Sequence, residues 1–404
     1  MKKLLIALLL FSGSTSFSET KSYEINGEIP GAKDRMPVYL LNGTVYPPTV
    51  IDSTTISNNK FAFKGVEQLK FPTYLTVNIN KAGKDADSRN LKSFSLFAEN
   101  SKMDIYCPFD SLPSYYYDPN NWRKEYNVRV AGSSTQKLYD DFNKSIFELK
   151  GENNYLQQEY LKVYHIPAIK GEFNTKQGMA IIRQQNKLQK EIKEKTIKFV
   201  QENNKSVVAA YFVTNLLRRA SSDYTINEIN SLVKGLDKSL HESNYMKDLE
   251  KAAENAKATA KGLSFNDIKL KDKEGKRVNL SEFVKPGQVN MLEFWASWCG
   301  PCRAEIPHLR QLYEISGKKG FNMISISIDE RDPDWKKAMT EEGMVWTQLC
   351  DDQGRKGPVA EVYKVNGIPY CILLDKDGKI MVANLRGAAL DVFLEDVGLF
   401  HYKG

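Results

Sequence analysis

Between residues 23 and 130 the chain alternates short apolar and polar positions. YEINGEI, MPVYLLN, NKFAFKG, YLTVNI, SFSLFAE and MDIYC are separated by Gly, Asn, Pro or Asp clusters. Runs of this kind predict strands, here of an antiparallel sandwich or barrel-like module. DPNNW at 118–122 reads as an exposed loop. From residue 133 the period lengthens. SSTQKLYDDFNKSIFELK opens on a Ser cap and continues with apolar residues at helical spacing. Further helices are expected at 176–203, 205–219, 226–237 and 244–260, with HIPAIKGEFN at 165–174 as a break. No fixed-period repeat supports a helical solenoid.

From about residue 262 strands and helices alternate. Strands are predicted at 265–270, 277–280, 289–294, 321–328, 370–374 and 379–385. Helices are predicted at 299–317, 334–342, 359–365 and 389–397. Such alternation implies a sheet with helices on both faces. At 404 residues two or three domains are expected, and 41% hydrophobic content supplies their cores. The chain divides into 19–131 (β-rich, sandwich-like and all-β), 132–261 (helical) and 262–404 (α/β).

Residues 1–18 form a further segment. Lys2 and Lys3 precede the apolar run 4–11 and the small polar stretch SGSTSFS, the three regions of a secretory signal. Ser16 and Ser18 are suitable small residues before a cut. No cysteine near the cut offers a lipid-anchor site, and a soluble, exported, periplasmic protein is expected. The charge of +7, from 57 basic and 50 acidic side chains, changes little in this picture. The lysines solvate helix surfaces, as in KLQKEIKEKTIK, and no aromatic-interleaved basic stripe points to nucleic acid.

The chemistry concentrates in MLEFWASWCGPCRAEIPHL at 291–309. Cys299 and Cys302 sit where a strand gives way to a helix. At a helix N-terminus, free N–H groups and the macrodipole favour a thiolate over an ordinary thiol of pKa about 8.5. Cys299 is then the attacking sulfur, and the more enclosed Cys302 resolves the mixed disulfide. A zinc site would need four ligands, and the four histidines, His165, His241, His308 and His401, form no such group. A structural disulfide closing so short a loop constrains the unfolded chain little. No cofactor is expected.

WASWCGPCR resembles the active site of thioredoxin, and Pro307, Ile368-Pro369 and Gly387 extend the match. LKDKEGKRVNLSEF before the dithiol, and Glu305 after it, are similar to exported proteins of the TlpA/ResA type. The resemblance covers about 262–400 and implies a thioredoxin fold and thiol–disulfide exchange. It also implies a cis bond at Ile368–Pro369, beside Cys299. That bond would expose the backbone of Gly367 and Ile368 to an extended substrate segment. Glu293 takes the place of the buried aspartate of thioredoxins and would accept the proton of Cys302. Glu305 occupies the place of an acid that tunes the cysteines, the alternative being an exposed helix acid. Gly300-Pro301 tilts the expectation towards a reductase, which would draw electrons from a membrane donor or another redox partner and act on protein disulfides.

Trp298 is expected to shield the sulfur and touch substrate, Trp295 to pack in the core, and Arg303 and His308 to lie on the helix surface outside the chemistry. Cys107, Cys350 and Cys371 remain, with Cys350 expected in a loop and buried packing the default for all three. The β-rich pattern IDSTTISNNKFAFKG, LFAENSKMDI and VAGSS resembles a small domain found ahead of thioredoxin-like domains in exported Bacteroidetes proteins. This domain and the helices after it are expected to dock a substrate protein, mediate self-association or shield the dithiol, or to act as a spacer. Two other functions stay open: a partner-binding protein whose dithiol is a latch, and a peroxiredoxin-like peroxidase.

Overall fold

Among the described residues the N-terminal part forms eight strands, six of them on the alternating runs and β3 and β8 outside them: β1 (Glu24–Glu28), β2 (Pro37–Asn42), β3 (Thr49–Thr55), β4 (Lys60–Lys64), β5 (Thr73–Asn80), β6 (Leu91–Ala98), β7 (Lys102–Tyr106) and β8 (Arg129–Ala131). The computed structural model describes residues 22–400 apart from 44–47, 81–90, 117, 119 and 220–222. The expected signal segment therefore lies outside the described residues. The strands form two four-stranded sheets, ordered β4-β1-β7-β8 and β3-β2-β5-β6. One apolar cluster draws on both, with Ile25, Phe63 and Met103 from the first and Val38, Val77 and Leu96 from the second. The pairing is not wholly antiparallel, because β1 and β7 run parallel. The long stretch of chain between these two strands imposes no hairpin on them. DPNNW leads into a short helix, α1 (Asn121–Lys124), rather than staying an open loop throughout.

The chain divides into two compact units between Asp140 and Asp141. That division falls inside α2 (Ser134–Ser145), whose N-terminus is capped as expected: Gln136 N–H donates to Ser133 Oγ at 3.0 Å. The second unit continues with α3 (Phe147–Tyr160), a π-helical turn (Leu161–His165) and α4 (Ile166–Ile169). The expected break at 165–174 is thus confined to its second half. Pro167 cannot donate to the carbonyl four residues back. That Val163 carbonyl instead accepts from Asn174 Nδ2 at 2.8 Å. There follow α5 (Thr175–Glu202), α6 (Val207–Arg219), α7 (Ile226–Lys234), opened by a Thr225/Glu228 capping box, and α8 (Asn244–Ala258).

The α/β part comprises β9 (Lys269–Asp272), β10 (Arg277–Asn279), β11 (Val289–Trp295), α9 (Gly300–Ser316), β12 (Phe321–Ser327), α10 (Asp332–Glu341), β13 (Thr347–Cys350), α11 (Pro358–Tyr363), β14 (Tyr370–Leu374), β15 (Ile380–Ala383) and α12 (Ala388–Asp396). Its seven strands are ordered β10-β9-β13-β12-β11-β14-β15. Strands β11 and β12 pair in parallel, and every residue of both is buried. Burial on both faces explains why they read as nearly continuous apolar runs. Cys350 ends β13 rather than lying in a loop. Tyr164 and Met179, from the helices before the sheet, belong to the same core cluster as β11.

Candidate active site

Strand β11 carries the chain through the middle of the sheet to Ala296, and α9 leads it away. Cys299 is the N-cap of α9, and its Sγ accepts the Cys302 N–H at 3.2 Å. Gly300 and Pro301 form the first turn, where a proline loses no helical hydrogen bond. Cys299 and Cys302 are joined as a disulfide with a Cα–Cα distance of 5.2 Å. Cys299 is 5% exposed and Cys302 1%. The loop before them is fixed by Asp329, a buried carboxylate that sequence reasoning missed. It accepts from Ser297 N–H at 2.8 Å, Ser297 Oγ at 2.6 Å and Ser327 Oγ at 2.5 Å.

Trp298 does not fold back into the core; it is 56% exposed, with the Arg355 guanidinium 5.8 Å from its ring centroid. It borders a cleft of about 290 Å3 shared with Ser297, Arg303, Lys337 and Glu341. Arg303 is half-buried and bonded to Glu341 and Glu342. Trp295 is fully buried, as expected.

The Ile368–Pro369 bond is cis. Gly367 is exposed, Ile368 half-buried and Pro369 buried. Strand β14 begins at the next residue, and Tyr370 pairs with Phe294, so Pro369 and Cys299 lie at the same end of the sheet.

Glu293 is buried in β11, in register with Ser325 on one side and Cys371 on the other. Burial pushes its carboxyl up to about 8; a hydrogen bond from Ser325 moderates the rise and the Glu305 charge adds to it. Ser325 Oγ in turn accepts from Trp346 Nε1 at 2.8 Å. Glu293 Oε2 has no hydrogen-bond partner among the described residues. Such an acid changes charge close to neutral pH, as proton transfer requires.

Glu305 is not an exposed helix acid. Its side chain is 14% exposed and accepts from Arg386 Nε at 3.2 Å and Gly387 N–H at 3.1 Å. His308 departs furthest from expectation. It is buried, and its Nε2 lies 2.8 Å from Asp391 Oδ1 on α12. Burial opposes its charge, but the Asp391 carboxylate and, behind it, Glu305 hold its pKa above the ordinary value. The preceding Pro307 lies inside α9, and the helix turns this ring towards α12 and Tyr164 rather than to solvent. The sequence carried no signal for the pairing, since Asp391 lies far along the chain.

Cys107, Cys350 and Cys371 are free and buried, which matches the packing default. Burial raises their thiols to about 11, 12 and 12 respectively.

A strand–dithiol–helix turn, a cis proline at the same sheet end and a buried acid define a thioredoxin-like thiol–disulfide oxidoreductase. Residues 262–383 match the AhpC/TSA family, and residues 23–139 match a domain of unknown function, DUF4369. The chain is 31% identical over 125 residues to the thiol-disulfide oxidoreductase ResA of Bacillus thuringiensis, covering 31% of this chain and 69% of that one. It is 31% identical over 123 residues to ResA of Geobacillus thermodenitrificans, covering 30% and 68%. Among solved structures, the thioredoxin domain of a thiol-disulfide oxidoreductase from Bacteroides vulgatus is 35% identical, with a TM-score of 0.32 and coverage of 34% of this chain and 97% of that one. The chain belongs to the TlpA/ResA-type thiol–disulfide oxidoreductases.

Proposed function

We propose that this chain is a periplasmic reductase of protein disulfides, acting through its CGPC dithiol. The observation that carries the reading is the Cys299–Cys302 disulfide at the N-terminus of α9, just past the strand that buries Glu293. In the reduced pair, the Cys299 thiolate attacks one sulfur of a substrate disulfide. A Cys299–substrate bond forms, the substrate S–S bond breaks, and the leaving thiolate takes up a proton. Glu293 accepts the proton of Cys302, whose sulfur then attacks Cys299 Sγ and releases the second substrate thiol. Two electrons pass to the substrate, and the dithiol ends as a disulfide. A membrane electron donor, or another dithiol partner, returns the pair to its reduced form.

Trp298 and the backbone of Gly367, Ile368 and Pro369 would hold the extended substrate segment, and the exposure of Trp298 and Gly367 at the sheet end supports this role. Export follows from the leader-like residues 1–18; among the described residues no helix is long and apolar enough to cross a membrane. The modules 19–131 and 132–261 would present a partner, or a second copy of the chain, to the redox domain at 262–404.

The first test is the reduction potential of the Cys299–Cys302 pair, with Cys107, Cys350 and Cys371 replaced by Ala. A value near the roughly −270 mV of thioredoxin is expected, whereas one near the roughly −120 mV of a strong oxidant would reverse the proposed direction. Insulin reduction should be lost in Cys299→Ser. The competing peroxidase reading is tested with the same reduced chain: faster oxidation of its dithiol by peroxide than by insulin would favour that reading.

A further inference from the structure

The helices before the sheet reach the neighbourhood of the dithiol through two aromatic rings. Tyr160 ends α3, and Tyr164 sits in the π-helical turn. The rings stack with centroids 5.2 Å apart and planes 24° apart. Two glycines make room for them. A Cβ at Gly178 of α5 would lie 2.5 Å from Tyr164 Cδ2 and 2.9 Å from the Ala388 methyl. A Cβ at Gly387, where φ is +51°, would lie 2.8 Å from Tyr160 Oη and 3.0 Å from Tyr164 Cε1. Contacts this close leave no space for a side chain, so both positions are shaped to the tyrosine pair.

What the pair grips is the turn that holds Glu305. Ala388 N–H donates to Tyr160 Oη at 3.3 Å. The adjacent Gly387 N–H and the Arg386 side chain donate to the two oxygens of Glu305. Three successive residues thus tie α3 to α9 at one point. Glu305 lies one helical turn beyond Cys302, and its charge adds to the burial that raises two acids paired on adjacent strands, Glu293 and Cys371. A negative charge one helical turn from a cysteine disfavours its thiolate. Arg386 partly offsets it, and the His308–Asp391 pair lies behind it, against the Tyr164 ring.

We infer that Tyr160 is a positioning residue of the redox site: it steadies the 386–388 turn under Glu305, and thereby limits how readily Cys299 ionises. The helical segment is then part of the redox site in cis and more than a spacer. This inference rests on the reductase reading only in assigning Cys299 as the attacking sulfur.

The test is the pH dependence of iodoacetamide alkylation at Cys299, followed by mass in the reduced full chain. Tyr160→Phe keeps the ring stack and removes only the hydroxyl. Its alkylation midpoint should fall, with Cys299 about two- to tenfold more acidic, the lower part of the coupling found between neighbouring groups. Glu305→Gln should lower the midpoint further, and adding Tyr160→Phe to it should change nothing more. Gly178→Ala drives a methyl into the Tyr164 ring and should shift the midpoint the same way; it serves if Tyr160→Phe does not fold. An unshifted midpoint in Tyr160→Phe, or an equal shift with and without Glu305, would overturn the inference. Alkylation requires no substrate turnover. A chain that failed to reduce insulin would sink the reductase reading and leave this result standing.

Discussion

At the scale of single residues, Glu293 is the position where environment outweighs identity. A glutamate in water titrates at about 4.3, yet burial in β11 moves this one up to about 8. A carboxyl whose folded pKa is raised binds more protons in the folded than in the unfolded chain between the two values. Its contribution to stability is therefore full below the unfolded pKa and is lost as pH rises through about 8. Denaturant melts of the oxidised chain should show stability falling over this window, by about 1.4 kcal/mol for each tenfold difference between the folded and unfolded acid constants. Glu293→Gln should flatten that slope and slow resolution of the mixed disulfide, by about 100-fold or more where general-base catalysis is lost. A Gln variant with unchanged turnover and the wild-type slope would remove Glu293 from the mechanism.

Between elements, the join of α9 to α12 decides how the dithiol helix is seated. His308 and Asp391 meet across it with both side chains buried. Removing one partner of such a pair typically costs about 3–5 kcal/mol, because the other charge is left unpaired. The raised pKa of His308 fixes the sign of the pH effect. Its stabilisation is full below the unfolded value, about 6.5, and is lost as pH rises through the folded one. His308→Ala should thus destabilise the chain more at pH 5 than at pH 9 in urea melts. Equal losses at both pH values would mean the ring acts through packing alone.

Other elements show where periodicity was a sufficient guide. The helix over 299–317 and the strand over 289–294 were legible to within a residue or two, because each carries strong apolar spacing and a sharp turn between them. Strand β3 was not, since six of its seven residues are exposed and alternation had nothing to mark. The π-helical turn was not legible either. Its cause is Pro167, which reads locally as a break, and its remedy is Asn174, a side chain eleven residues from the carbonyl it satisfies.

For the whole molecule, every side chain named at the redox site lies in residues 141–404. A chain lacking 23–139 should keep the Cys299–Cys302 potential to within about 30 mV, a tenfold change in the exchange equilibrium. Its rate on insulin should also hold, while association with a native partner or with a second copy should weaken in sedimentation or pull-down measurements. A shift of potential well beyond that margin would make the β-rich module part of the redox site instead.

The isomer of Ile368–Pro369 was implied by the family resemblance and is set by the fold; the sequence by itself determined the dithiol, its strand-to-helix setting and the acid in the core strand. Each of these depends on short-range spacing, which a linear reading captures. Only the tertiary structure decided that Glu305 is held by Arg386 and Gly387, that His308 is buried against Asp391, and that Tyr160 reaches the same turn from the helices. These contacts join residues some 80 to 230 positions apart. Their chemistry comes from desolvation and proximity, which exist only once distant surfaces have closed on one another.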